Sequence, residues 1–183
     1  KEGEEMTVYC AVNYGSKGKL GKDATPKQWW DFNNGFTNIE GGDSLELLAR
    51  ITDGNSFCPR HSHIHRSIIV KGKVQQTAYR HSLNWLPSSV AALDYDDGAM
   101  RMTQLQEHPL VANYATMGYT TVSHTPEHER FRIVFVAERP VVNPDSWRKV
   151  MAALAWKFVG VDKTVSDVIK PYAGNPLSSV YTF

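Results

Sequence analysis

Three carboxylates crowd the end of one apolar run. In AALDYDDGAM, residues 91–100, the acids Asp94, Asp96 and Asp97 follow directly behind Val90–Leu93. On a strand, successive side chains point to opposite faces, so Asp94 and Asp96 share a face and Tyr95 takes the other. Paired carboxylates repel unless positive charge sits between them. A hard divalent cation with a preference for oxygen ligands, such as Mg²⁺, supplies that charge. The competing reading is a solvated loop with acidic decoration. The apolar run favours the metal, because it fixes the pair on a rigid element, and Gly98 then lets the chain turn away.

Two further segments carry candidate chemistry. In TTVSHTPEHERFRIVF, His124 stands at a strand end and Arg132 on a strand that can run alongside, so the two could contact a triphosphate. A lone histidine is more often structural or simply exposed. In VDKTVSDVIKPYAGNP, Asp162 and Asp167 both qualify as a further carboxylate, with Lys170 close behind.

Arg60, Arg66, Lys71, Lys73 and Arg80 form a basic stretch that includes His61, His63, His65 and His81, and no acid occurs between Asp53 and Asp94. This is either a solvated hairpin or a surface that contacts phosphates. Cys58, His61, His63 and His65 are also the residue types that bind zinc. Their spacing is irregular and no second paired cluster follows, so a basic loop is the favoured reading.

The elements that must position these groups follow from composition and pattern. The chain has 183 residues, 42% hydrophobic and 21% charged, which fits one soluble globular domain spanning 1–183. No apolar run approaches the roughly 20 residues that span a bilayer. The opening KEGEEM is no signal peptide, and with the ending VYTF it reads as a segment cut from a longer multidomain protein. Two cysteines make no disulfide framework and fit a reducing, cytoplasmic setting. A net charge of +1 does not by itself announce a nucleic-acid binder.

Met6–Gly15 reads as a strand, followed by a loop. Asp43 caps a helix over SLELLARIT that Gly54 stops. Short strands and a hairpin, with a turn at Lys71-Gly72-Lys73, occupy Asn55–Trp85. SSVAALDYD is a strand, Met100–Ala112 is helical, and YTTVSHT is a strand. In FRIVFV, Phe131, Ile133 and Phe135 alternate with Arg132, Val134 and Val136. Asn143 caps a helix with Pro144 in its first turn. Trp147, Val150, Met151, Leu154 and Phe158 make its apolar, core-facing stripe. The class is α+β, mixed in order.

LDYDDG, SHTPEHERFRIVF and SDVIKPYAG resemble the three motifs of the archaeo-eukaryotic primase superfamily, in particular the primase-polymerases of plasmids, phages and CRISPR-associated operons. LELLARITDGNSFCP and SLNW resemble that family's helix, cysteine-bearing strand and Asn-aromatic step, so the likeness spans Leu45–Gly174. It implies a primase catalytic core in which an RRM-like sheet carries the active site. It further implies DNA primase or DNA polymerase activity, with Asp94, Asp96 and Asp167 binding two Mg²⁺ or Mn²⁺ ions. Ser123 and His124 would hold the nucleotide's phosphates, with Arg132 and Lys170 assisting. The implied partners are nucleoside triphosphates, a single-stranded or primed DNA template, and a fused helicase or other replication or CRISPR module; no membrane is involved. Contact of that nucleic acid with Arg66, Lys71, Lys73 and Arg80 follows from the phosphate-contacting reading of the basic stretch, not from the resemblance. The family's usual Asp-x-x-Arg is here Asp167-Val168-Ile169-Lys170, which keeps the charge and loses the bidentate fork. HSHIHRSIIVKGKVQQTAY looks like an insertion.

Two rival functions stand beside this one. His63-Ile64-His65 resembles the His-hydrophobic-His motif of rolling-circle nucleases, with Tyr114 or Tyr119 as nucleophile. A nucleic-acid-binding module with a decayed site is the other, although a retired site has no reason to keep repelling acids together.

Overall fold

A computed structural model describes residues 7–18, 20–158, 160–162 and 167–183. The opening KEGEEM and part of the VDKTVSDVIK stretch, residues 163–166, lie outside the described residues. In chain order the elements are β1 (Val8–Lys17), α1 (Pro26–Asn34), β2 (Phe36–Gly42), α2 (Ser44–Thr52), β3 (Asn55–Cys58), β4 (Ser67–Val70), β5 (Lys73–Gln76) and a short 3₁₀ turn (Ser82–Asn84). Then come β6 (Ser88–Tyr95), α3 (Met102–Gln106), α4 (Pro109–Tyr114), β7 (Met117–Thr120), β8 (Phe131–Val141), α5 (Pro144–Lys157) and β9 (Val180–Thr182). The class is α+β, and these strands pair antiparallel throughout.

Among the described residues three sheets form, with orders β2-β1-β3, β4-β5 and β6-β8-β7-β9. The four-stranded sheet is covered on both sides. Ala91, Leu93, Tyr95, Phe131, Ile133 and Phe135 point into a core shared with Trp147 and Met151 of α5 and Leu105 of α3. Val90, Ala92, Val134 and Val136 point the other way, against Val8, Cys10 and Val12 of β1 and Leu47 and Ile51 of α2. The Val90–Leu93 run is therefore apolar on both faces because water reaches neither. Asp94 is the next residue on the β1-facing side, and it is buried too.

Local signals account for most element ends. Asn143 accepts a hydrogen bond from the Ser146 N–H at 2.8 Å, and Asp43 does the same for Glu46 at 2.6 Å. The helix expected over Met100–Ala112 is two short helices, because Pro109 starts a new one that His108 caps. In the apolar stripe of α5, Trp147 and Met151 are buried, as is Phe158 just beyond its end, whereas Val150 is 38% exposed, so the stripe is narrower than its spacing suggests. YTTVSHT pairs as a strand only as far as Thr120; Ser123 lies in a turn. Lys71 and Gly72, at φ of 51° and 74°, form a two-residue hairpin turn, and Lys73 already belongs to β5.

The segment after Ile169 is strapped onto β3 and α2. Phe57 and Tyr172 exchange backbone hydrogen bonds at 2.9 and 2.8 Å, and the Asn175 N–H donates to the Ile51 carbonyl at 3.0 Å. Gly174 makes this approach possible: a Cβ there would stand 2.4 Å from the Asn55 carbonyl oxygen and 2.6 Å from that of Ile51. Both neighbours are backbone and cannot swing aside. Gly174→Ala is expected to lower stability by about 1–3 kcal/mol, read as a lower urea midpoint with unchanged slope.

Candidate functional site

Asp94, one residue before the end of β6, lies directly across from Arg132 of β8, on the same face. Its carboxylate is almost fully buried, so it requires opposite charge. Arg132 Nε donates to one oxygen, and Lys170 Nζ lies 3.0 Å from the other. Burial alone would raise the Asp94 pKa; the two cations outweigh it and hold the carboxyl below its usual range. Arg132 also donates from Nη1 to the Ala173 carbonyl at 2.5 Å and to the Tyr119 hydroxyl at 3.1 Å. That hydroxyl donates to the same Ala173 carbonyl at 3.0 Å. Burial acts to lower the Arg132 pKa, but Tyr119 and Asp94 more than compensate and keep it charged. Arg132 thus serves mainly to hold Asp94 and the 172–175 strap together.

Lys170 sits between two carboxylates, with Asp162 Oδ2 3.1 Å from its Nζ. The Asp162 N–H also donates to the Asp94 carbonyl at 2.8 Å, which keeps the two acids adjacent. Burial disfavours the Lys170 charge, and Asp94 and Asp162 restore it, so its pKa is raised. Asp167 is half exposed and faces Arg80 Nη1 at 3.7 Å. The structure therefore brings Asp162, rather than Asp167, to the cation that Asp94 shares. Asp167 lies one turn from Lys170, whose N–H donates to its carbonyl at 3.1 Å.

Asp96 and Asp97 lie past the end of β6 and are exposed. Their turn is held by a residue that pattern reading passes over, His128. Its Nε2 donates to the Asp96 carbonyl at 3.0 Å. Gly98, at φ +71°, gives it room, since a Cβ there would stand 2.7 Å from His128 Nδ1. The Ser-His loop is thereby docked on the acidic turn. Within that loop His124 Nδ1 accepts from the Arg130 N–H at 3.2 Å, so the ring proton sits on Nε2 as a donor. Ser123 is exposed.

Arg66, Lys71 and Lys73 are exposed, as a phosphate-contacting role requires. Arg80 is not: its Nε donates to Asn33 Oδ1 at 2.9 Å and its Nη1 to the Ile169 carbonyl at 2.8 Å, so it ties the basic stretch to α1 and to the Asp167 turn. Cys58 and His61 are buried 3.9 Å apart, while His63 and His65 both stack on Tyr79. Among the described residues no three His, Cys, Asp or Glu side chains are gathered as a ligand set. Burial pushes the Cys10 thiol up to about 12 and the His61 imidazole down to about 4, so both stay neutral. His63 and His65 lie outside any strand, and Tyr119 is fully buried, whereas Tyr114 is 68% exposed.

The carboxylates around the end of β6 carry the oxygen donors a hard cation prefers, although among the described residues no three of them are gathered together. Asp94, Asp96, Asp162 and Asp167 offer only oxygen, and the Lys170 ammonium already stands where two of them need positive charge. A recess of about 120 Å³ beside Arg132 is walled by Trp29, Phe32 and Pro171, smaller than the ~300 Å³ at which small-molecule pockets ordinarily begin. Among the described residues no helix is long and apolar enough to cross a membrane. The chain matches no family model, no curated protein and no solved structure.

The buried network predicts a stability signature. A carboxyl held below its ordinary pKa of ~3.9 stabilises the fold fully above that pH and loses the contribution as pH falls below it. Asp94→Asn removes the carboxylate that Arg132 and Lys170 share, leaves the buried Arg132 charge without it, and is expected to cost about 3–5 kcal/mol at neutral pH. The exposed Asp96→Asn should change stability by less than ~0.5 kcal/mol. Urea midpoints at neutral and acid pH check both, with the Asp94 variant showing the weaker pH dependence below ~4.

Proposed function

We propose that this chain catalyses template-directed nucleotide addition, as the catalytic domain of a DNA primase-polymerase of the archaeo-eukaryotic primase type. The observation that supports this most is convergence. Three sequence-distant motifs meet at one sheet end: Asp94 pairs with Arg132 and Lys170, and the Asp96 carbonyl accepts from His128. The order β6-α3-α4-β7-β8-α5-β9 also follows the β-α-β-β-α-β pattern of an RRM-like sheet. One departure is that β9 joins the edge of β7, whereas in that pattern the last strand lies beside the first.

In this reading Asp94, Asp96 and Asp167 would hold two Mg²⁺ or Mn²⁺ ions, with Asp162, bonded to the Asp94 backbone, as a further candidate ligand. When bound, such ions align an attacking 3′-hydroxyl with the α-phosphate and offset the charge that develops. Lys170 balances Asp94 in their absence and pairs with the triphosphate in their presence. His124 donates from Nε2 to a phosphate oxygen, with Ser123 beside it. Arg132 keeps Asp94 ionised and placed. The protein thus supplies position and charge rather than a covalent intermediate.

A labelled primer on a single-stranded template, with nucleotides and Mn²⁺ or Mg²⁺, should be extended. Asp96→Asn, which spares the buried network, should reduce extension by about 100-fold or more. His124→Ala should weaken nucleotide binding by about 10- to 100-fold and leave DNA binding unchanged. Label comigrating with the protein on a denaturing gel, without nucleotides, would replace this reading with the tyrosine nuclease. Extension by Asp96→Asn at the normal rate would remove the metal assignment.

A further inference from the structure

The basic stretch contains a feature that nucleotide addition does not require. Trp30 of α1 stacks on His65 with centroids 5.3 Å apart and planes at 17°, and His65 stacks on Tyr79 at 4.4 Å and 22°. Tyr79 in turn stacks on His63 at 5.1 Å and 26°. Four rings from three separate segments thus make one run of near-parallel pairs at the surface, where Trp30 is 40% exposed and both histidines are exposed. Among the described residues no second ring stacks on Trp30.

The run lies at the foot of the β4–β5 hairpin. His65 Nδ1 bonds the Thr77 carbonyl at 2.8 Å, and the Thr77 N–H donates to the Arg66 carbonyl at 2.8 Å. Above that foot the hairpin stands clear of the body: every residue of β5 is exposed, and the paired Ile69 and Val74 are 76% and 71% exposed. An isolated two-stranded hairpin is marginal in water, so a preformed ring run at its base keeps its lysines in place. Lys71 lies in the hairpin turn and Lys73 directly follows it, and the whole stretch 54–93 contains no acid.

We infer that this surface binds single-stranded nucleic acid, with a base stacked on Trp30 at the end of the ring run and phosphates on Lys71 and Lys73. Stacked rings with cations in a stretch without acids are what a strand needs when its bases are unpaired, and Asp31, next to Trp30 in the chain, is already paired with Lys27. A protein partner would instead favour a contiguous apolar patch; here the exposed Ile64, Ile69, Val70 and Val74 are interspersed along the chain with His63, His65, Lys71 and Lys73. Arg80 joins this surface to the Asp167 turn through the Ile169 carbonyl. That the bound strand is the template rests on the nucleotide-addition reading; that a strand binds here does not.

The test is fluorescence anisotropy with a labelled oligo-dT of about a dozen nucleotides and an abasic oligomer of equal length. Nucleotides are omitted and EDTA is present, so the carboxylate site contributes nothing and a failed extension assay leaves the result standing. Trp30→Leu should weaken oligo-dT binding by about 5- to 140-fold without altering the salt slope, and bind the abasic strand as the parent does. Trp30→Phe, which keeps a ring face, should recover most of the loss. Lys71→Ala with Lys73→Ala should lower the salt slope by about 0.7 for each phosphate no longer neutralised, on both strands. The inference is overturned if the unaltered protein binds oligo-dT no more tightly than the abasic strand. That outcome can be read even if Trp30→Leu fails to fold. Unchanged oligo-dT affinity in Trp30→Leu also overturns it, as does an equal loss on both strands.

Discussion

The buried carboxylate of Asp94 is the constraint on which the rest of the molecule turns. An ionised carboxylate removed from water is expensive unless it is paired and hydrogen-bonded. Two elements meet that demand, β8 through Arg132 and the post-α5 segment through Lys170. Arg132 then recruits the Ala173 carbonyl and the Tyr119 hydroxyl, which fixes the strap that Gly174 allows to lie on β3. One charge at a strand end thus sets the position of groups drawn from β6, β7, β8 and the C-terminal segment. The same pairing places Asp162 against Asp94.

Alternation along β6 distributes three acids into different environments. Asp94 is the last side chain on the covered face. Past Tyr95 the strand ends, so Asp96 and Asp97 reach water with no compensating ion pair among the described residues. A buried acid with two cations and an exposed acid beside it form a rigid half and an accessible half. His128 keeps the accessible half from drifting by holding the Asp96 backbone and leaving its carboxylate unencumbered.

The amphipathic pattern makes much of this legible. Asp43 and Asn143 cap helices as their types require, and the FRIVFV alternation separates two cores. Asp94 and Arg132 can each be singled out by type, but their cross-strand register depends on how β6 meets β8, which no local pattern encodes. Hydrophobic pattern alone misses α1 and β2, although a signal exists: Thr25 and Gln28 form a capping box around Pro26. The Trp30–His65–Tyr79–His63 run is invisible in sequence for another reason. Its rings come from three separate segments, and histidines in a basic stretch look solvated until the chain folds Tyr79 back between them. Motif likeness favours Asp167 over Asp162, whereas adjacency to Asp94 comes from a backbone bond of Asp162.

The two cations on Asp94 are not equivalent, and the difference bears on why a lysine stands at position 170. Arg132 spends its planar donors on three fixed oxygens and is nearly inaccessible, so its pairing is permanent architecture. Lys170 is a point charge on a flexible stem, 22% exposed, shared between Asp94 and Asp162. A guanidinium in that seat would favour a bidentate lock on a carboxylate and resist displacement. An ammonium imposes no fork geometry, so a competing cation of higher charge could exchange with it on the same oxygens. Permanence on one side of Asp94 and exchangeability on the other is what a carboxylate needs if it is to be both a structural hub and a ligand.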